Sequence, residues 1–109
     1  MFRVIAGLIL CLGLAATAAA QDAKVARGQK VFADQKCTLC HSIGDKGNKK
    51  GRLDGVGSKL KNDQVREWIV DAKGMTAKTK ATRKPEMKAY TLPKEDVEAL
   101  AEYLMTLKK

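Results

Sequence analysis

Two cysteines and a histidine stand together in Cys37-Thr38-Leu39-Cys40-His41. The spacing C-x-x-C-H is the attachment signature of c-type haem. Two thiols three residues apart can add across the two vinyl groups on one porphyrin edge, and the short chain between them fixes that edge. The adjacent imidazole then lies under the iron as the proximal ligand. Rival chemistries account for less of the pattern. A thioredoxin-like redox pair needs a strand–helix framework that the sequence lacks. A structural zinc site needs four ligands, and one C-x-x-C with one histidine leaves the fourth missing. A disulfide across two residues leaves His41 unexplained. The chain's third cysteine, Cys11, sits elsewhere, in an apolar leading stretch.

That leading stretch, residues 1–20, reads as a cleaved secretory signal. Arg3 gives a short positive start, Val4 to Leu14 an apolar run, and Ala18-Ala19-Ala20 an A-x-A cleavage site before Gln21. The apolar run falls short of the ~20 residues a spanning helix needs. No small-residue box precedes Cys11, so it does not read as a lipidation site. Residues 21–109 are then one domain, expected in the periplasm, since covalent haem attachment belongs to a compartment outside the cytoplasm. Of the 109 residues, 89 remain, with 20 basic and 12 acidic side chains and four aromatics: Phe32, Trp68, Tyr90 and Tyr103. A chain this short buries only roughly 60–65% of its unfolded surface. With so few aromatics, a non-protein group is expected to complete the core.

Three helices are predicted to carry the site. Asp22 can cap the first, with Val25, Gly28, Val31 and Phe32 on one face. Asn62 or Asp63 can open the second, which places Val65, Trp68 and Ile69 together. Pro93 suits the first turn of the third, followed by Glu95 and Asp96 at the dipole's positive end. Its stripe of Val97, Leu100, Ala101, Leu104 and Leu107 is ordinary core packing, and Lys108 and Lys109 suit its far end. Between these helices, residues 43–61, with five glycines, and residues 72–92 read as long irregular loops wrapped around a ligand.

Over essentially the whole of 21–109 the sequence resembles the class I c-type cytochromes. Gly28-Gln29-Lys30-Val31-Phe32 looks like that family's glycine and aromatic on the first helix, where the glycine permits a close crossing with the last helix. Leu100 and Tyr103 hold the matching places on that last helix. Gly51-Arg52-Leu53-Asp54-Gly55-Val56-Gly57 resembles the loop whose backbone carbonyl accepts the proximal histidine's ring N–H, a bond that orients the ligand. The family commonly has proline after the loop's first glycine. This chain has Arg52, so proline's restriction of φ is lost. The resemblance implies an all-α fold of about three main helices with long loops around one covalent haem c.

A sixth iron ligand has few sources. No second histidine exists, and beyond Met1 the thioethers are Met75, Met87 and Met105. Met105 reads as a packing residue of the last helix. Met87, in Lys84-Pro85-Glu86-Met87-Lys88-Ala89-Tyr90, resembles the family's distal-ligand segment, with Met75 as its competitor. A thioether there raises the potential and closes the position an enzyme would leave open. Leu53 and Ile69 are candidate pocket walls, and Trp68 either reaches a propionate or packs its helix.

Basic side chains gather at Lys46, Lys49, Lys50, Arg52, Lys59 and Lys61, and again at Lys73, Lys78, Lys80, Arg83, Lys84 and Lys88. Such an excess around a haem edge would steer acidic redox partners. No nucleic-acid-binding motif accompanies it. The expected product is a monomeric, soluble, periplasmic one-electron carrier that is not an enzyme, inserts in no membrane, and has Cys37 and Cys40 on the haem and His41 and Met87 on the iron. Two alternatives stay open: a cytochrome subunit of a larger dehydrogenase or oxidase, and an open haem that senses gases or reduces peroxide if no methionine binds.

Overall fold

A computed structural model describes the backbone of residues 2–109 and the side chains from residue 17 onward. The side chain of Cys11 therefore lies outside the described residues. The first helix, α1, spans Phe2–Asp34 and runs through Asp22 without a break. Asp22 is thus not the helix cap that its position suggested. A cap serves a helix whose first N–H groups lack a preceding turn. Here the alanine-rich stretch ahead of Gln21, made of the best helix formers, continues the helix upstream. At its other end α1 closes with Gln35 N–H on the Val31 carbonyl, 2.9 Å, and Lys36 turns away at φ 55°.

The last helix, α5, spans Lys94–Met105 and starts one residue later than predicted. Pro93 stands just outside it, its carbonyl accepting from Asp96 and Val97 N–H at 3.0 and 3.1 Å. Glu95 and Asp96 occupy the first turn, where the dipole favours them. Leu107 lies beyond the helix end yet still packs on the core.

α1 and α5 make the principal helix pair of the molecule. Gly28 sits at their crossing, where an added Cβ would strike the Ala99 carbonyl oxygen and the Tyr103 Cβ. One turn along, Phe32 and Tyr103 meet edge to face, centroids 5.9 Å apart at 73°. Polar bonds flank the seam: Arg27 to Asp96 at 2.7 Å, Lys24 to Glu98 at 3.9 Å, and Gln21 Nε2 donating to Glu102 at 2.7 Å.

A third helix packs across the pair. α3 spans Asn62–Val70, opens after Lys61, and buries Val65 and Ile69. Lys61 N–H is taken by the Gln64 side chain, 2.8 Å. Val31, Phe32, Val65, Ile69, Val97, Leu100, Ala101 and Leu104 form one buried cluster from the three helices.

The connections hold more regular structure than expected. A hairpin of β1, Ser42–Ile43, and β2, Lys46–Gly47, pairs antiparallel, each strand too short to show an alternating pattern. A 3₁₀ turn at Lys49–Gly51 and a one-turn helix α2, Val56–Lys59, follow. The segment read as loop from residue 72 opens with a true helix, α4, Ala72–Thr79. Asp71 caps it, its carboxylate accepting from Gly74 N–H at 3.2 Å, and Lys80 ends it in the left-handed conformation. Residues 80–92, without a regular element, then lead to α5.

Candidate functional site

The Cys37–His41 segment leaves α1 through Lys36 and winds into a 3₁₀ turn at Cys37–Leu39. His41 N–H and Cys40 N–H both bond the Cys37 carbonyl, at 2.9 and 3.2 Å. The turn thereby brings both thiols and the imidazole to one place. The thiols are free rather than joined in a disulfide. Burial pushes the Cys37 thiol above its usual pKa.

His41 Nδ1 lies 2.9 Å from the carbonyl oxygen of Gly51. A carbonyl can only accept, so Nδ1 carries the proton and Nε2 keeps its lone pair. An imidazole held in that tautomer is ready to bind a metal through Nε2, and the bond makes it a stronger donor. Burial lowers the His41 pKa; the Gly51 bond opposes that fall and the Arg83 charge adds to it. Arg52, where proline was expected, adopts φ −62°, the value a proline ring would impose. The substitution leaves the histidine bond intact.

Cys37, Cys40 and His41 line one wall of a cavity of about 720 Å³, well within the range of cofactor pockets. Its floor is the apolar core: Phe32 from α1, Val65 and Ile69 from α3, and Leu100 and Leu104 from α5. Leu53 and Ile69 are both walls, as expected, and half-buried Trp68 faces the same space. Met87 lines it too, from the segment after α4. Met75 does not: it is a buried residue of α4, 5% exposed. Met105 packs at the foot of α5, where its carbonyl abuts Gly57. The lining thus separates Met87 from its competitor Met75, and Met105 packs as expected.

The arrangement identifies the group it is built for. Among the described residues no set of three or more His, Cys, Asp or Glu gathers as an ion site. The sheet among the described residues is a single hairpin of two two-residue strands, β1 and β2, unlike the strand–helix framework a thioredoxin-like pair needs. A family model described as Cytochrome c matches residues 25–108. The chain belongs to the cytochrome c family. It is a class I c-type cytochrome, and its cofactor is a covalently attached haem c with iron. Comparison with curated proteins and with solved structures gave no match.

The residues present fit the haem of this cytochrome. An apolar cavity of macrocycle size holds two unpaired thiols and a histidine with a free Nε2 on one wall. Two thiols and an imidazole are the donor types that thioether attachment and iron ligation require. Haem-based electron transfer is the function the family carries.

Two residues of the site lie outside what spacing alone revealed. Asn48 stitches the Cys37–His41 turn to the loop below it. Its backbone N–H bonds the Thr38 and His41 carbonyls, both at 3.1 Å, and its Nδ2 donates to the Leu39 carbonyl at 3.2 Å. Its Oδ1 caps the second 3₁₀ turn through Lys50 N–H at 3.0 Å. The signal was an asparagine between two turn glycines, a residue that bonds its own loop. Arg83 is the other. Its Nη2 donates to the Cys40 carbonyl at 2.6 Å across 43 residues of sequence.

The basic surface is less uniform than the sequence suggested. Lys78 pairs with Glu67 at 3.5 Å, Lys84 with Glu86 at 2.9 Å, and Lys49 approaches Asp45 at 4.0 Å. Lys36, Arg52, Lys59, Arg83 and Lys88 line the cavity against Asp54 and Glu86, so its rim keeps a net positive charge.

Proposed function

We propose that this cytochrome is a soluble, exported one-electron carrier in which Cys37 and Cys40 hold the haem and His41 and Met87 ligate its iron. The observation that carries the reading is the shared cavity: both thiols, the imidazole with Nε2 free, and the Met87 thioether line one apolar space. When bound, the haem supplies a reversible one-electron exchange between ferric and ferrous iron. The chain's own residues govern the rest. The Gly51 carbonyl orients His41 and strengthens it as a donor. The walls from α1, α3 and α5 exclude water and so favour the less charged ferrous state. Met87, which lines the same cavity, would supply the thioether to the iron, a donor set that suits a carrier rather than an enzyme.

The rim charge supports transient docking with acidic redox proteins, since a positive ring speeds encounter and orients the edge. The N-terminal segment supports export to the periplasm with cleavage after Ala20, and a monomer suits a mobile carrier. Absorption spectra of the oxidised and reduced protein test the ligation. Met87→Ala should lose the thioether-ligation band of the ferric protein and let the ferrous protein bind carbon monoxide. An unchanged spectrum would exclude Met87. Periplasmic fractionation and an intact mass test the export.

A further inference from the structure

Arg83 stands in the basic run, four residues ahead of Met87, and reaches the opposite side of the site. Its Nη2 donates to the Cys40 carbonyl at 2.6 Å. Its Nη1 lies against the Cα of Gly51, so closely that a Cβ there would strike it. Gly51 is the residue whose carbonyl holds His41. Arg83 is half-buried, lines the cavity, and makes no ion pair among the described residues. One side chain therefore ties three parts of the site: the segment carrying Met87, the second attachment cysteine, and the loop that orients the histidine.

We propose that Arg83 is a positioning residue that fastens the Met87 segment to the Cys37–His41 turn and sets a positive charge beside His41. The inference rests on the axial assignment of His41 and Met87 proposed above. Two consequences follow from separate physics. The segment from 80 to 92 has no regular element of its own, so a charge-assisted bond to Cys40 restricts how far Met87 can withdraw. The guanidinium also opposes the extra positive charge of ferric iron, so it raises the potential.

Arg83→Gln removes the charge and the long reach together. Arg83→Lys keeps the charge but lacks the fork that spans Cys40 and Gly51. Lys78→Gln, on α4 and paired with Glu67, is the control for a lost surface charge. The haem-loaded proteins are compared by potentiometric titration and by imidazole binding to the ferric form, with Met87→Ala as the open-site reference. Arg83→Gln should bind imidazole about tenfold more tightly than wild type, equivalent to about 1.4 kcal/mol, and have a lower potential. Arg83→Lys should keep the potential near wild type while still binding imidazole more tightly. An Arg83→Gln protein indistinguishable from Lys78→Gln in both measurements would overturn the proposal. If wild type binds imidazole as tightly as Met87→Ala, the axial assignment fails and the fastening of a ligand falls with it. The potential of Arg83→Gln then decides the charge alone: a fall supports it and no fall overturns it.

Discussion

Replacing Gly28 by alanine sets two effects of opposite sign against each other. Helix propensity favours alanine over glycine by about 1 kcal/mol inside a helix. Packing opposes it. A Cβ at this position would stand 2.6 Å from the Tyr103 Cβ and 2.7 Å from the Ala99 carbonyl carbon, where even tight contacts begin near 3.0 Å and ordinary ones at 3.4 Å. Those neighbours are backbone and a side-chain root, so neither can swing aside. α1 and α5 must part by several tenths of an ångström to nearly one. A gap of that size forfeits a quarter to a half of each close contact along the seam, including the Phe32–Tyr103 pair. Overpacking typically costs 1–3 kcal/mol, and an unyielding backbone places this case at about 3. Subtracting the propensity gain leaves a net loss of about 2 kcal/mol, or roughly 8–16 °C in melting temperature for a domain of this size. Denaturation of the haem-loaded protein, followed by circular dichroism, measures it. Ala33→Gly, at an exposed position of the same helix, calibrates propensity and should lose about 1 kcal/mol. A Gly28→Ala protein as stable as wild type, or more so, would refute the close-crossing argument.

Other perturbations test other parts of the fold. Arg52→Pro should preserve the His41–Gly51 bond and add about 0.4–1 kcal/mol, because φ is already −62° and only the unfolded chain is restricted; a lower urea midpoint would contradict this. Asp71→Ala removes the cap of α4 and should cost about 0.5–1 kcal/mol with the haem spectrum unchanged, read as a small drop in melting temperature. Stability should fall with acid through the only histidine. Its folded pKa is held below the ordinary 6.5 by burial, so the unfolded chain takes up a proton first; the contribution is complete above 6.5 and is lost as pH drops through the folded value. The iron ligation proposed for His41 would use the same lone pair and act in the same direction. Equal urea midpoints at pH 8 and pH 5.5 would disprove it. The rim charge predicts that oxidation by a small anionic complex slows with rising salt, while oxidation by a neutral one does not.

How much of this was legible in the sequence differs from residue to residue. The gathering of Cys37, Cys40 and His41 in one turn was readable because the pattern is confined to five residues and closes on local backbone bonds. α5 was readable because its apolar stripe repeats at helical period against a polar background. Gly28 could be placed through its spacing from Phe32 and the family resemblance. α4 was not: only Ala72 and Met75 of its eight residues are buried, so no stripe forms, and Gly74 and its two threonines weaken the propensity signal. The course of α1 through Asp22 was hidden because a good capping residue is also tolerated in a helix that already has a preceding turn. Asn48 and Arg83 escaped because their partners are backbone carbonyls, which carry no residue identity. Arg83 in particular acts across 43 positions, where nothing in local pattern connects the two ends.

The seam between α1 and α5 joins the two ends of the domain, with Gln21 bonded to Glu102 across 81 positions and Arg27 to Asp96 across 69. Such a contact cannot form until nearly the whole chain is present, and its closure entropy must be met before the contact stabilises anything. Cys37, Cys40 and His41 lie between those ends. The seam is therefore expected to close only after the segment that holds them has been made. In the closed fold Cys40 and Leu39 stay exposed while Cys37 and His41 are half-buried, so the turn keeps one open side from which the attachment proposed for its thiols would proceed.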